Sequence, residues 1–367
     1  MRRRVAIVGA GLSGLVCALR LLEAAADLEV EVLEARARVG GRLLSPDDID
    51  LGAAWTWPSD SALAELIAQL RLPTLSQHVT GASLLQTAGG AVTAFSRDES
   101  PAGPSARRLA QGAASLATAL AKTLVARGLR MELSCRVLGL RVREKRVEVL
   151  YQAAAEESER SAFFDVVVVA LPPRVAAATI RFEPRLPEDK IRRMLATPTW
   201  MANSGKVALH YNTNFWRERG CNGTVFSETG PLRQIWDNSD HEKCVLCGFL
   251  FDQDLDQAQS EEDAARLVIP QLTRIFGELA ATPTKISLKS WRHDPLTNVQ
   301  NLNHFETTMQ VPYGDPVVRS RHELVVFSGT ETAYGENGHM NGAVIAGRRA
   351  AEENIQLLRE SNQIAST

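Results

Sequence analysis

The most constraining feature of this 367-residue chain is a glycine motif near its start, set between two apolar segments. Residues 5–8 read VAIV, which is typical of a buried parallel strand, and residues 12–26 are rich in leucine and alanine, which predicts a helix. The turn between them has G-x-G-x-x-G spacing, with glycines at Gly9, Gly11 and Gly14. Such glycines let the backbone turn tightly and approach a pyrophosphate, and the helix N-terminus offers free N–H groups to that anion. The pattern therefore predicts a dinucleotide-binding βαβ unit.

The residues that follow indicate which dinucleotide is bound. A second apolar segment, residues 30–33, ends at Glu34, whose carboxylate can accept hydrogen bonds from a ribose hydroxyl pair. Glu34 also argues against a 2′-phosphate, because two negative groups would be forced together. Gly40-Gly41 permits a second close backbone approach, and Arg42 can then reach the pyrophosphate. The Arg-x-Gly-Gly-Arg string at 38–42 therefore favours FAD over NAD. Since no second glycine fingerprint follows, a separate nicotinamide site is not expected, and an oxidase is favoured over a reductase or an NADPH-driven monooxygenase.

Composition and charge are those of an ordinary globular protein of two or three domains. The chain is 45% hydrophobic with a formal net charge of −2, so no basic excess points to nucleic acid. No apolar run reaches the ~20 residues that cross a bilayer. The arginine-rich start is not interpreted as a signal peptide, because the apolar run after it is the first strand of the βαβ unit. We therefore expect a cytoplasmic protein with neither a nucleic-acid nor a membrane partner.

The five cysteines suit neither a disulfide framework nor a metal site. Their number is odd and their spacing is scattered. Cys244 and Cys247 have the spacing of a redox or zinc motif, but they lie in a strand-like run, where positions i and i+3 face opposite sides. No second pair completes a zinc site, so we expect no bound metal.

The rest of the chain predicts an α/β fold: a Rossmann-type, glutathione-reductase-like FAD-binding domain and a second α+β substrate domain built on a mixed sheet. Four valines, 166–169, precede Pro172-Pro173 and are typical of a strand buried on both faces of a parallel sheet. An apolar segment at 324–327 returns the chain to that sheet. We assign residues 1–80, 105–175 and 320–367 to the FAD-binding domain, and residues 81–104 and 176–319 to the substrate domain.

Further elements follow from composition and periodicity. Helices are expected at 61–70 (with Ser61 as a possible N-cap), 107–127, 261–279 and 342–359. Strands are expected at 131–138, 147–151, 206–211, 245–251 and 285–291. Residues 81–106 are rich in Gly, Ala, Ser and Pro and are interpreted as a linker or mobile cover.

Two stretches carry a resemblance to a known family. Residues 33–42 read LEARARVGGR, and residues 327–350 read FSGTETAYGENGHMNGAVIAGRRA. Together with Asp50-Leu-Gly, the 166–173 strand and Lys206, they make the chain similar to FAD-dependent amine oxidases of the flavin monoamine oxidase type. The chain is shorter than the larger members around residues 75–106. The resemblance and the motifs together imply FAD contacts at Gly9, Gly11, Leu12, Ser13, Gly14, Glu34, Ala35, Arg36, Gly40, Gly41, Arg42, Ala53, Ala54, Trp55, Val137, Gly329, Thr330, Glu331, Met340, Asn341 and Ala343.

The resemblance also implies roles within this set. The backbone of Val137 would hold adenine, and residues 329–331 would meet the ribityl and phosphate region. The helix that starts near Met340 would point its N-terminus at the isoalloxazine, where it stabilises the negative charge of the reduced ring. Lys206 is the candidate catalytic residue, because the matching lysine holds a water against the reactive flavin nitrogen and can assist the reaction with dioxygen.

The chain departs from the family pattern at two places. Some members tether FAD through a cysteine, but the corresponding string, residues 304–309, contains none, so FAD is expected to be non-covalent. The two tyrosines that flank the substrate amine are replaced by Glu306 and His339. Trp57 and Trp291 complete the expected substrate pocket.

The sequence thus predicts an oxidase that converts a small amine to an imine and reduces dioxygen to hydrogen peroxide. An L-amino-acid oxidase is an alternative, which would need an arginine such as Arg233 or Arg292 to grip a carboxylate. A desaturase or porphyrinogen-type oxidase is disfavoured by Lys206 and by the lack of a membrane-binding stretch. A flavin-binding protein without catalysis also remains open, as does assembly into a homodimer.

Overall fold

The computed structural model describes residues 2–25, 27–154, 156, 158–299, 311–336 and 338–364. The α-helices in this part of the chain are α1 (Leu12–Ala24), α2 (Ser61–Gln69), α3 (Ala114–Ala126), α4 (Pro173–Thr179), α5 (Glu188–Ala196), α6 (Phe215–Glu218), α7 (Asp252–Gln257), α8 (Glu261–Phe276), α9 (Pro316–Arg319) and α10 (Met340–Ile364).

The strands of the same residues form four sheets. They are β1 (Arg3–Val8), β2 (Leu28–Leu33), β3 (Trp55–Thr56), β4 (Thr74–Ser76), β5 (Ala82–Gln86), β6 (Val92–Arg97), β7 (Arg107–Leu109), β8 (Arg130–Glu132), β9 (Cys135–Arg143), β10 (Arg146–Ala153), β11 (Arg160–Phe164), β12 (Val166–Val169), β13 (Arg181–Glu183), β14 (Ser204–Tyr211), β15 (Cys221–Ser227), β16 (Gln234–Asp237), β17 (Cys244–Phe251), β18 (Lys285–Ser290) and β19 (Val325–Phe327).

A five-stranded parallel sheet lies at the centre of the nucleotide-binding half. Its order is β19-β12-β1-β2-β8, so the predicted βαβ unit and the two later strands meet in one sheet. Every residue of β12 is buried, as expected for a strand covered on both faces. Helices α1, α3 and α10 cover one face, where Leu15, Leu116 and Val344 share a core. The Rossmann-type prediction is confirmed.

A second sheet covers the other face of the parallel sheet. Its order is β11-β10-β9-β13, and its apolar side chains share a core with β12 and β19. The same core includes Ala176 of α4, Met194 of α5 and Val318 of α9. The chain beyond Pro172-Pro173 therefore packs against this sheet before it enters the third one.

The third sheet is mixed and has seven strands in the order β18-β14-β17-β16-β15-β5-β6. Helix α8 covers one face, where its Val268 and Leu272 share a core with Leu209 of β14. The other face presents Trp236 and Phe249 toward the nucleotide-binding half. Cys244 packs with the first face and Cys247 with the second, so the prediction that this pair points in opposite directions is confirmed.

Three local predictions are wrong. Residues 81–106 are not a linker, because β5 and β6 form an antiparallel pair at one edge of the seven-stranded sheet. The helix expected at 107–127 begins only at Ala114, because β7 pairs with β3 and β4 and Gly112 then turns the chain with φ +69°. Ser61 is the first residue of α2 rather than its cap, since Asp60 precedes the helix.

The described residues contain neither a membrane-spanning helix nor a cluster of metal ligands. None of their helices combines the length and the apolar character needed to cross a membrane. None of their histidine, cysteine and carboxylate side chains cluster in a group that could hold a metal ion.

Candidate active site

A cavity of about 540 Å³ lies between the parallel sheet and the seven-stranded sheet. One side of the cavity is lined by residues that come just after the parallel strands: Gly9 after β1, Glu34 after β2, Ala170 after β12 and the turn at Gly329 after β19. The carboxyl edge of such a sheet is where ligands bind in open α/β folds. The opposite wall comes from β14, β16 and β17.

Most of the predicted site residues line this single cavity. They are Gly9, Gly11, Leu12, Ser13, Glu34, Ala35, Arg36, Gly40, Gly41, Arg42, Ala53, Ala54, Trp55, Trp57, Val137, Lys206, Trp291, Gly329, Thr330, His339, Met340 and Ala343. Glu306 lies outside the described residues, as does the string 304–309 on which the expectation of non-covalent FAD rests.

The glycine turn leaves room for a ligand at one position and is tightly packed at the others. A Cβ added to Gly14 would lie 2.1 Å from the carbonyl oxygen of Gly9, and one added to Gly9 would lie 2.9 Å from the carbonyl oxygen of Ala170. A Cβ added to Gly11, however, would meet no atom within 4 Å. Gly11 precedes α1 without a side-chain cap, so the first N–H groups of this helix are open to a ligand. The turn thus offers an anion-binding cradle.

Glu34 stands beside this cradle with a fixed carboxylate. Its Oε2 accepts the backbone N–H of Ala10 at 2.7 Å, and its Oε1 accepts that of Arg36 at 2.8 Å. The side chain is buried and lines the cavity near Val137. Each carboxylate oxygen has a second lone pair, so the fixed group can still accept hydrogen bonds from a ribose.

The second glycine pair is held by Arg38 rather than by Arg42. The Arg38 guanidinium donates to the carbonyl oxygens of Val39, Gly41 and Leu43 at 2.8–3.0 Å. It thereby stabilises the turn in which Gly40 has φ +99° and Gly41 has φ +56°. Arg38 therefore has a structural role in this turn. The sequence pattern alone does not reveal this role.

Arg42 lines the cavity and is backed by a buried carboxylate. Its Nη1 lies 2.7 Å from Oε1 of Glu331, whose side chain is fully buried. Among the described residues, neither carboxylate oxygen of Glu331 has a well-aligned hydrogen-bond partner. Glu331 itself does not line the cavity. A bound anion would therefore contact Arg42, with Glu331 behind it.

Two further predicted contacts are placed behind the cavity wall. Gly14 packs α1 against β1, with no space beside its Cα. Asn341 accepts the backbone N–H of Leu63 at 3.0 Å and donates to Glu336 at 2.9 Å, so its side chain joins α10 to α2. Neither residue lines the cavity. Both roles depend on tertiary packing that the motif does not display.

Lys206 enters the cavity from β14 and is almost completely buried. Its Nζ donates to the carbonyl oxygen of Gly52 at 2.7 Å and to that of Asp50 at 3.3 Å. The same nitrogen lies 5.1–5.4 Å from the ring centroids of Trp55, Trp236 and Phe249. Burial lowers the pKa of Lys206 to about 8, against the opposing effect of the Asp50 carboxylate. Its charge is therefore poised to change near neutral pH.

Three aromatic rings line the cavity where α10 begins. The His339 ring lies 5.2 Å from the ring of Trp57 and 5.3 Å from that of Trp200, centroid to centroid. Trp57 is fixed because its Nε1 donates to the carbonyl oxygen of Ala102 at 2.7 Å. Trp200 is 41% exposed, so this group of rings, which we call the aromatic trio, lies at an opening to solvent. Burial lowers the pKa of His339, which keeps its ring neutral near pH 7.

Several lining residues were not predicted from the sequence. They are Pro101, Ala102, Arg136, Leu171, Pro172, Val175, Thr179, Met201, Ser204, Gln234, Phe249, Phe251, Pro295, Leu296 and Thr297 among others. Trp200, which the sequence alone could assign to a pocket or to the core, lines the cavity as well. The alternation of β17 marked Phe249 and Phe251 as sharing one face, but not which face meets the cavity. Trp200 is part of no motif, and only its tertiary position brings it beside His339.

The arginines that an amino-acid oxidase would use lie elsewhere. Arg233 donates to the backbone of Glu228, and Arg292 pairs with Asp256 at 2.9 Å. Neither side chain lines the cavity. The carboxylate clamp that this alternative requires is thus not formed by either candidate.

The solved structures most useful for comparison share the whole fold. A putrescine oxidase bound to putrescine has a TM-score of 0.79 with 21% identity, covering 97% of this chain and 99% of that one. Cyclohexylamine oxidase from Brevibacterium oxydans has a TM-score of 0.79 with 19% identity, covering 98% and 100%. At these identities the matches establish the fold.

Curated relatives are similar over part of their length. A flavin-containing amine oxidase of Oncorhynchus mykiss is 27% identical over 72% of this chain, and human flavin-containing amine oxidase B is 27% identical over 51%. The alignments cover 49% and 36% of those proteins, so the chain spans about half their length or less.

The family comparison extends over nearly the entire chain. The model for flavin containing amine oxidoreductase matches residues 12–87 and 75–355. These ranges include Gly14 of the glycine motif, Glu34, Lys206 and the aromatic trio. The chain therefore belongs to the family of flavin containing amine oxidoreductases.

Proposed function

We propose that this protein binds FAD non-covalently and oxidises a small amine, with dioxygen as the electron acceptor. The observation that carries the proposal is that one cavity joins the glycine cradle and Glu34 to Lys206 and the aromatic trio. A dinucleotide held at the glycine cradle and Glu34 would place its ring system beside Lys206 and the aromatic trio. The overall change is amine plus dioxygen plus water to aldehyde or ketone, ammonia or a smaller amine, and hydrogen peroxide.

The donor set suits the cofactor. The N-terminus of α1 and Arg42 would bind the pyrophosphate, and Glu34 would accept the ribose hydroxyls. The backbone of Val137 would hold the adenine. Thr330 and the start of α10 would meet the other end of the cofactor, where the helix N-terminus favours negative charge. When bound, FAD supplies the two-electron acceptor for oxidation of the amine carbon.

Lys206 would act on the oxygen half of the reaction. Its ammonium group faces a cavity with little competing solvent, so its charge favours electron transfer to dioxygen. With a pKa of about 8, it can also release and regain a proton near neutral pH. The carbonyl oxygens of Gly52 and Asp50 hold the nitrogen in place while the proton moves.

The aromatic trio would hold the substrate. Its rings offer flat apolar faces to an amine substituent, and neutral His339 does not repel a cationic substrate. A substrate amine must lose its proton before oxidation, and the surrounding apolar wall disfavours the charged form. Trp200 stands at the opening through which such a substrate would enter.

Flavin binding is tested with a pair of glycine variants. Gly11→Val introduces a side chain into space that no atom of the protein occupies, so the fold should persist while the bound FAD is lost. Gly89→Val is the matched control, because Gly89 also has no atom within 4 Å of an added Cβ and lies away from the cavity. Retention of FAD by Gly11→Val would contradict the assignment of the cradle.

Activity is tested by peroxide release from the wild-type holoprotein on a panel of amines and L-amino acids. Peroxide from primary or secondary amines supports the proposal. Peroxide from L-amino acids alone would favour the amino-acid oxidase, and bound flavin without turnover of any substrate would favour a flavin-binding protein without catalysis.

A further inference from the structure

The wall of the cavity beside Glu34 is completed by a segment from the opposite half of the protein. Pro295, Leu296 and Thr297 line the cavity together with Arg36. They belong to a turn, residues 294–298, in which the backbone N–H groups of Thr297 and Asn298 donate to the carbonyl oxygen of Asp294. We call this segment the 294–298 turn. The turn follows β18, and its first residue, Asp294, is 258 residues away from Arg36 in the sequence.

A two-point ion pair attaches this turn to the nucleotide-binding half. Arg36 Nη1 donates to Asp294 Oδ2 at 2.9 Å, and Arg36 Nη2 donates to Asp294 Oδ1 at 2.8 Å. Nη2 also donates to the Thr297 hydroxyl at 2.9 Å. The side chains are 14% and 3% exposed, so the pair is largely shielded from water and salt.

Other groups also hold the Asp294 carboxylate in place. Lys289 Nζ donates to its Oδ2 at 2.6 Å, and its Oδ1 accepts the backbone N–H of Leu296 at 3.0 Å. Burial alone would raise the pKa of this carboxyl, but Arg36 and Lys289 bring it down to about 2. The carboxylate is therefore ionised at neutral pH.

The same arginine also touches the cofactor side of the wall. Its backbone N–H donates to Glu34 at 2.8 Å, so one residue links the expected ribose acceptor to the 294–298 turn. Hydrogen bonds to Asp294 and Thr297 engage three of the five N–H donors of the guanidinium. Sequence motifs suggest a direct contact of Arg36 with the cofactor, whereas this geometry directs its charge to the protein.

We propose that Arg36 and Asp294 are positioning residues that retain the cofactor by fastening the 294–298 turn over the cavity beside Glu34. The inference rests on the proposed binding of FAD. The bidentate geometry suits the role, because it fixes the orientation of the turn as well as its distance. Release of the cofactor then requires the turn to move, and the ion pair opposes that motion.

The test compares the rate of FAD release from purified holoprotein variants, measured by the flavin that appears in the filtrate over time. Asp294→Asn and Arg36→Met should each speed release by about 10- to 100-fold, the range expected for a hydrogen bond to a charged group. The double variant should release FAD no faster than the faster single variant, because both remove one interaction. Arg193→Met, which breaks a single-contact ion pair with the buried Asp315 that does not line the cavity, should keep the wild-type rate.

A direct contact of Arg36 with FAD predicts a different pattern. Asp294→Asn would then free Arg36 for the cofactor and slow release, while Arg36→Met would speed it, and this result would overturn the proposal. Unchanged release in both single variants, additive effects in the double variant, or an equal effect in Arg193→Met would overturn it as well. If Asp294→Asn fails to fold, Arg36→Lys keeps the charge but loses the two-point geometry and should still speed release. Failure of the wild type to bind FAD would instead refute the proposed function.

Discussion

Replacement of Lys206 by methionine is the sharpest probe of the site. Methionine keeps an unbranched chain of similar length but deletes the charge and the three N–H donors. The nitrogen it removes is held by Gly52 and Asp50 and surrounded by three aromatic rings. A thioether is well accommodated among such rings. The change therefore tests the chemistry of the ammonium group with little change in packing.

The effect on folding is the sum of two opposing contributions. Lowering the pKa of Lys206 from 10.5 to about 8 means that the folded protein holds the charged form at a cost of about 3 kcal/mol. This cost is present below pH 8 and is relieved as the pH rises from about 8 to 10.5, because the unfolded chain then binds more protons than the folded one. Methionine removes the cost but leaves two carbonyl oxygens without a donor, at about 1–3 kcal/mol each. The net change in the free energy of unfolding at pH 7 should therefore lie between a gain of about 1 kcal/mol and a loss of about 3 kcal/mol.

The effect on the oxygen half-reaction should be much larger. With the ammonium charge and its proton absent, reoxidation of the reduced holoenzyme by dioxygen should slow about 10- to 100-fold. Anaerobic reduction by the amine should change less, because the aromatic trio is untouched. In the wild type the reoxidation rate should fall as the pH rises through about 8, and the variant should lack this dependence. Stopped-flow absorbance measures the two half-reactions separately.

A second buried lysine provides the control. Lys190 is equally buried, donates to the carbonyl oxygens of Val317, Val318 and Ser320, and has its pKa lowered to about 8, mainly by burial. It does not line the cavity. Lys190→Met should therefore lower stability without slowing reoxidation. Unchanged reoxidation in a folded, flavin-loaded Lys206→Met variant would refute the catalytic role of Lys206.

Three further predictions concern the cofactor and the substrate pocket. Glu34→Ala should weaken FAD binding to the apoprotein by about one to two decades, since hydrogen bonds to a charged acceptor contribute about 1.5–3 kcal/mol; an unchanged dissociation constant would show that Glu34 serves only the backbone of Ala10 and Arg36. Acid precipitation should leave the flavin in the supernatant, because residues 304–309 contain no cysteine, whereas flavin in the washed pellet would demonstrate a covalent link. His339→Phe should preserve kcat/KM within a few-fold, because it keeps a ring between Trp57 and Trp200, while His339→Ala should lower it by about five- to tenfold, the equivalent of one aromatic contact.

Much of the nucleotide-binding half could be predicted because its signals are local. The apolar run at 5–8, the glycines after it and the four valines of β12 each encode an element within a few residues. Steric requirements act at the same short range: a side chain at Gly14 would meet the carbonyl oxygen of Gly9, five residues earlier. Such constraints can be recognised in the order of residues alone.

The errors arose where local composition was overridden by pairing with distant strands. Residues 82–86 look irregular, yet β5 is completed by β15, which lies more than a hundred residues later. The alanine- and leucine-rich stretch from 107 looks helical, yet Arg107–Leu109 pairs with β3 and β4. Strand formation depends on the partner as much as on the segment itself.

The sequence by itself determined the βαβ unit, the position of the last helix, the family and about half of the residues that line the cavity. Only the tertiary structure decided how their charges are used. Arg42 faces Glu331, Arg36 is committed to Asp294, and Lys206 is held by Gly52. Each of these pairs joins segments more than 150 residues apart, so neither partner carries a local mark of the other. Burial then sets how strongly each pair interacts and whether each group is protonated. These groups become buried only once the two halves of the chain have packed together.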